Sequence, residues 1–240
     1  MERRLKNQRK RLREDFKKDL STQIRRRSKQ IGKMAVSEAL PAYLADQLMS
    51  GDVVVDCGAN VGAFLRHFVD TEARVFAFEP NPDCVALLNE KFGPNDGFSI
   101  IEKAVDVRAG TALLRLLPRY DKALSIEEGM NLNCSLGSSL LDQSKFKPGH
   151  GYEVEVVDFI AFLKNLISEH GQIAILKIDV EGTELEIMEE LYKQDLFSSI
   201  KYCFIETHER FFPELYDRFM DIREKISAKY KPTHVNLEWV

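Results

Sequence analysis

Residues able to do chemistry gather at three places along the chain. The first is Asp56-Cys57-Gly58-Ala59-Asn60-Val61-Gly62, directly after the β-branched run Val53-Val54-Val55. That run predicts a short buried strand. Gly58 and Gly62 would let the turn after it approach a ligand closely, and the next helix would present its first N–H groups. The second is Glu79, which ends the apolar run Arg74–Phe78. A carboxylate there can accept both hydroxyls of a ribose. The third comprises Lys177, Asp179 and Glu181 after Ile173–Ile178, with Glu206 and His208 after Lys201–Ile205. Such a set can take a proton from a hydroxyl. His208, with an ordinary pKa of about 6.5, is a candidate base and Glu181 its rival.

The glycine turn suits an adenosine ligand, and its side chains discriminate between two kinds. A dinucleotide wants G-x-G-x-x-G/A, but Asn60 stands at the second glycine, although Ala63 satisfies the third. S-adenosylmethionine has no phosphate and tolerates a side chain there. Asp56 also suits its ammonium group and would repel a pyrophosphate. The segment therefore favours S-adenosylmethionine over a nicotinamide cofactor. At the later cluster other readings stay open. Asp179 can cap the loop that follows, Lys177 can pair with Asp179 or Glu184, and His208 can be a solvated helix-start residue. Asp179, Glu181 and Glu206 can instead hold one Mg²⁺ through hard oxygen ligands. Ser138 and Ser139 are either ligand contacts from a lid or a serine-rich turn.

Strands and helices must position these groups, and the pattern alternates accordingly. After a helix over Ser37–Met49, the expected order is strand, glycine turn, helix over Ala63–Val69, strand Arg74–Phe78, helix Asp83–Phe92 and strand Phe98–Ile101. Strand–turn–helix–strand at this spacing is a βαβ unit and implies a parallel sheet. Tyr152–Val157 alternates as a strand, and Asp158 caps a helix ending near Gly171. Thr183-x-x-Glu186 is a capping box for a helix bearing Leu185, Met188 and Leu191. Thr233–Trp239 is expected as the last strand. Residues 118–151, rich in glycine and proline, read as a lid or acceptor loop.

Composition excludes several classes. No apolar run reaches the roughly 18 residues of a membrane span, and no signal-peptide core follows the charged N-terminus. Four scattered cysteines lack a C-x-x-C pair, which fits a reducing cytoplasm rather than a disulfide framework. Residues 1–33 hold 14 Lys/Arg and 4 Asp/Glu, against a formal net charge of −4 for the whole chain. Residues 1–35 are therefore a basic helical arm before an acidic domain over 36–240. Leu5, Leu12, Phe16, Leu20, Ile24 and Ile31 form its apolar stripe. The arm suits peripheral attachment to an anionic membrane, self-association, or a solvated tail. Nucleic acid is disfavoured, since the body is acidic.

With these motifs in this order, the chain resembles the FkbM-type methyltransferases. The likeness rests on Val55 to Gly62, Phe78-Glu79-Pro80-Asn81-Pro82, Lys103-Ala104-Val105, Val156-Val157-Asp158, Gly137-Ser138-Ser139-Leu140 and the run Leu176 to Glu184. Lys177-Ile178-Asp179-Val180-Glu181-Gly182 is the most specific stretch. The resemblance implies an α/β, Rossmann-like class I methyltransferase fold, with a mostly parallel central sheet flanked by helices. It also implies S-adenosylmethionine-dependent methyl transfer to oxygen, with a carbohydrate, glycolipid or polyketide hydroxyl as acceptor. Asp56 to Gly62 would then surround the methionine moiety and Glu79 the ribose, while Asn81, Lys103 and Ala104 would lie near the adenine. The basic arm falls outside the family pattern, and one strand follows Lys201–Ile205 where a pair is usual. A nicotinamide-dependent oxidoreductase and a non-catalytic nucleotide-binding module are the alternatives.

Overall fold

The computed structural model describes residues 31–93, 95–116, 139–141 and 151–239. The basic arm up to residue 30, most of the 118–151 loop and Ser138 lie outside the described residues. Residues 31–45 are helical (α1). The chain divides into one unit up to Leu40 and a second over Pro41–Trp239. The second unit carries the strands and the candidate site residues. No helix among the described residues is long and apolar enough to cross a membrane.

Six parallel strands form the central sheet: β1 (Val53–Cys57), β2 (Arg74–Phe78), β3 (Phe98–Ile101), β7 (Ile173–Ile178), β8 (Ile200–Ile205) and β9 (Val235–Asn236). Their order is β3-β2-β1-β7-β8-β9. Every residue of β1 and β7 is buried, as expected for parallel strands covered on both faces. The chain runs outward from β1 in one direction and from β7 in the other, so strand order reverses between them. An open α/β sheet binds its ligand beyond the strand ends at such a switch point. Asp56 lies opposite Lys177 in this central pair, so the chemistry-bearing termini converge there.

The helices follow from capping and stripe. Asn81 caps α2 (Pro82–Phe92) by accepting from the Asp83 N–H. Asp158 caps α3 (Phe159–His170) through the Ala161 N–H, and the helix stops at Gly171 with φ +80°. The apolar faces of α3, α4 (Glu184–Lys193) and α5 (Tyr216–Lys229) share a core with the sheet, through Leu163, Met188 and Phe219 among others. Cys57, Cys84 and Cys203 are buried and unbridged.

Three local expectations are corrected. Ala63–Val69 is not an α-helix. A single 3₁₀ turn, Leu65–His67, stands in its place, because the segment closes through i→i+3 bonds such as Phe68 N–H to Leu65. The capping box does not form: Thr183 turns its hydroxyl to the Val105 carbonyl, and Glu184 reaches back to the Gly182 N–H instead. The final strand is only Val235–Asn236 and pairs parallel to β8.

The strand expected at Tyr152–Val157 exists as β6 (Gly151–Asp158), but outside the central sheet. It pairs with β4 (Ala104–Asp106) and β5 (Gly110–Arg115) in a three-stranded sheet of order β4-β6-β5. Leu114, Val154 and Val156 form its small core. This second sheet supplies one wall of the site.

Candidate active site

A crevice with about 620 Å³ of open space, mouth included, lies at the switch point, where a small-molecule ligand of an open α/β sheet is expected. Gly58, Asn60 and Glu79 line one side, Lys103, Ala104, Val105, Leu114 and Leu140 another, and Asp179, Glu181 and Thr183 the third. Leu114 belongs to β5 and Val105 to β4, so the second sheet makes the apolar wall.

The glycine turn is built differently from a phosphate cradle. The Gly58 and Ala59 N–H groups both donate to the Phe78 carbonyl at 3.0 Å, Gly62 N–H to Ala59, and Asn60 N–H to the Glu79 carboxylate at 2.7 Å. These donors are held within the protein, and no α-helix begins behind them. Gly58 is needed for another reason: a Cβ there would lie 1.9 Å from the Asp179 carbonyl oxygen, at φ +78°. Gly62 sits off the crevice, against the Phe92 ring and Leu88.

Glu79 is 6% exposed. One oxygen accepts from Asn60 and the other from the Asn81 N–H at 2.9 Å. Each oxygen keeps a second lone pair for a ligand hydroxyl. Burial pushes its carboxyl up to about 7, against those two N–H groups. Asn81 itself is buried as the α2 cap rather than on the crevice wall. Lys103 lines the crevice and pairs with Glu155 at 2.6 Å.

Asp56 is fully buried beneath the crevice. Lys177, on the adjacent strand, reaches its Oδ1 at 3.1 Å, the Gly58 carbonyl at 3.0 Å and Asp179 Oδ2 at 3.4 Å. Burial works against the Lys177 ammonium, yet Asp56 and Asp179 hold it above the ordinary lysine range. Burial raises the Asp56 carboxyl, which Lys177 opposes. Lys177 thus staples β1 to β7 under the ligand floor. Asp56 Oδ2 has no hydrogen-bond partner among the described residues.

The acidic cluster surrounds His208. Its Nε2 lies 3.6 Å from Glu181, 3.7 Å from Glu206 and 3.8 Å from Asp179. Glu184, fully buried, accepts from the His208 backbone N–H at 2.9 Å and meets Nδ1 at 3.2 Å. Burial works to lower the imidazole pKa, but the Glu184 hydrogen bond and the surrounding carboxylates outweigh it and raise it to about 9. The ring therefore holds a proton at neutral pH unless another cation displaces it. Burial and then Asp179 push Glu206 up to about 7.

Each member of this cluster follows a strand end or starts the next helix, and all project from one edge of the sheet. The model of the methyltransferase FkbM domain matches residues 56–231. The chain belongs to the FkbM methyltransferase family. FkbM methyltransferases are enzymes that transfer methyl groups, so the family and fold implied by the sequence are both borne out. Three relatives align over most of the domain. Methyltransferase sdnD of Sordaria araneosa is 26% identical over 190 residues, 70% of each chain. Hexuronic acid methyltransferase AglP of Haloferax volcanii is 25% identical over 171 residues, 69% of this chain and 59% of its own. The 31-O-demethyl-FK506 methyltransferase FkbM of Streptomyces tacrolimicus is 28% identical over 179 residues, 68% of each.

Two features of this FkbM-family site do not emerge from residue spacing. Spacing offers Glu184 only as a partner for Lys177, yet it holds His208. A signal is present all the same: Glu184 shares the buried stripe of Ile187, Met188 and Leu191 on α4, and a lone acid on such a stripe requires a polar partner. Ser139 is the other. Its hydroxyl donates to the Glu181 carbonyl at 2.6 Å and so fixes the backbone of a crevice-lining residue that has φ +55°.

Proposed function

We propose that this enzyme transfers a methyl group from S-adenosylmethionine to a hydroxyl of a carbohydrate or related metabolite. The observation that carries the cofactor half is the turn Gly58–Gly62, whose N–H groups at Gly58, Ala59, Asn60 and Gly62 bond to the protein itself. A pyrophosphate would need them; a ligand without phosphates does not. This disfavours a nicotinamide cofactor on physical grounds. Glu79 would hold the ribose, and the Val105, Leu114 and Leu140 wall the adenine. S-adenosylmethionine supplies an electrophilic methyl on a sulfonium. Asp56 is buried and paired with Lys177, so its role is to anchor that lysine rather than to meet the ligand's ammonium.

The acceptor half rests on the acidic side of the crevice. A sugar hydroxyl is not acidic near neutral pH, so its proton needs a base as the new O–C bond forms and the methyl–sulfur bond breaks, with S-adenosylhomocysteine as the leaving group. Glu181 lies on the crevice wall and is aligned by Ser139; it takes that proton. His208 lies behind it, its ring held by Glu184. The names of two relatives, a hexuronic acid methyltransferase and a 31-O-demethyl-FK506 methyltransferase, support oxygen as the methylated atom and a sugar-like acceptor.

The test is a panel of uronic acids, neutral glycans and polyols incubated with S-adenosylmethionine bearing a deuterated methyl group. Mass gain of one labelled methyl on a hydroxyl oxygen is the expected result. Label found only on nitrogen or carbon acceptors would overturn the oxygen assignment.

A further inference from the structure

We propose that Asp179, Glu206 and His208 bind one divalent cation of the Mn²⁺ class on the acceptor side of the crevice. The ion site stands on its own geometry; its use in the reaction rests on the function proposed above. Oxygen atoms of Asp179 and Glu206 and the His208 Nε2 lie mutually within ligand reach. The two carboxylates are 3.8 and 3.7 Å from Nε2, inside the roughly 4.2 Å that spans an ion with bonds of about 2.1 Å.

Three further observations point to an ion rather than to a loose acidic cluster. His208 is 2% exposed, and its Nε2 makes no hydrogen bond to any described residue. No carboxylate closes to the charge-assisted distance of about 2.7–2.9 Å that an imidazolium N–H would draw in. On the far side of the ring Nδ1 meets buried Glu184. A metal-binding histidine almost always directs its other nitrogen to a carboxylate in this way, which aims the remaining lone pair at the ion. Asp179 divides its oxygens likewise: Oδ2 faces Lys177 and Oδ1 faces His208.

The donor set indicates the class. Two carboxylates suit hard cations, and the imidazole nitrogen favours Mn²⁺ over Mg²⁺. An ion here would draw an acceptor hydroxyl to the cluster and make it a stronger acid, so that Glu181 takes its proton more readily. Proton and metal ion compete for the same Nε2 lone pair.

Mn²⁺ binding to the full chain, read by loss of the free-ion electron paramagnetic resonance signal, tests the proposal with no need for an acceptor. One ion per chain is expected, displaced by Mg²⁺ only at higher concentration. Glu206→Ala, at a part-exposed position, should weaken binding by at least the about 10- to 100-fold known for loss of an outer-shell partner. Glu184→Gln should fall in that range, and Asp221→Asn on the exposed face of α5 should bind as the parent does. Circular dichroism melts confirm that each variant is folded. Parent protein that binds S-adenosylhomocysteine but no Mn²⁺ would overturn the ion site and leave the methyltransferase reading standing. Mn²⁺ binding unchanged by Glu206→Ala would overturn it too. Mn²⁺ binding without S-adenosylhomocysteine binding would instead count against the cofactor assignment.

Discussion

Glu181→Gln is expected to lower kcat by about 10²- to 10⁴-fold, the usual worth of a positioned general base, with S-adenosylhomocysteine affinity close to that of the parent. The substitution keeps the shape of the side chain and removes only its ability to take a proton. Glu181 is on the crevice wall, whereas His208 is 2% exposed behind it. Its backbone is pinned by Ser139, so the side chain is presented from a fixed point. Steady-state kinetics with an identified acceptor, paired with calorimetry, separates the two effects. A parent-like kcat would remove Glu181 from the chemistry; a matching loss of cofactor affinity would make it a binding residue.

Gly58→Ala is expected to be the most damaging small substitution. The Cβ it adds would lie 1.9 Å from the Asp179 carbonyl oxygen, and backbone on both sides must move. Left-handed conformation costs a non-glycine residue about 1–2 kcal/mol, and forced overpacking adds about 1–3 kcal/mol. A total near 3 kcal/mol corresponds to a fall in Tm of roughly 6–12 °C for a domain of this size. Gly171→Ala is the control, since φ is +80° and nothing lies within 4 Å. It should show the conformational cost alone, about 1–2 kcal/mol. Equal melting temperatures for the two variants would mean that the approach of the β1 and β7 ends is not what requires Gly58. Since Asp179 follows β7, Gly58→Ala should also disturb the acidic cluster.

Much of the fold is legible because buried parallel strands announce themselves. Val53-Val54-Val55 and Ile173–Ile178 are near-continuous apolar runs, and ligands bind beyond the ends of such strands, so Asp56, Glu79, Asp179 and Glu206 can be placed along one edge. What is not legible depends on contacts distant in sequence. β5 is a weakly alternating run that becomes a strand only by pairing with β6, from Gly110 opposite Val156 to Arg115 opposite Gly151. Leu114 therefore cannot be foreseen on the crevice wall. Phe64, Leu65 and Phe68 have helical spacing, but their burial is reached from one 3₁₀ turn and adjoining bends.

The site shows the same division. Types and order are readable, while partnerships are not. Asp56 invites assignment to a ligand's ammonium, yet its register opposite Lys177 gives it an internal partner. Asn81 and Gly62 belong to the matching motifs, but the helix cap and the Phe92 ring account for where they sit. By residue type His208 is a solvated ring of ordinary pKa; Glu184, 24 residues earlier, holds it by Nδ1 and by its backbone N–H.

Calorimetry of the full chain with S-adenosylhomocysteine and with NAD, repeated between pH 6 and pH 8, decides whether this crevice holds a methyl donor. S-adenosylhomocysteine should bind and NAD should give no heat. Burial raises Glu79 to about 7, so the carboxylate that accepts ribose hydroxyls is ionised above that pH and protonated below it. Affinity should therefore rise with pH through 7, approaching a slope of about tenfold per unit on the acid side, and Glu79→Gln should bind weakly with that dependence flattened. NAD binding in the absence of S-adenosylhomocysteine binding would contradict the methyltransferase assignment of this crevice, and parent-like, pH-dependent affinity in Glu79→Gln would contradict the ribose role of Glu79.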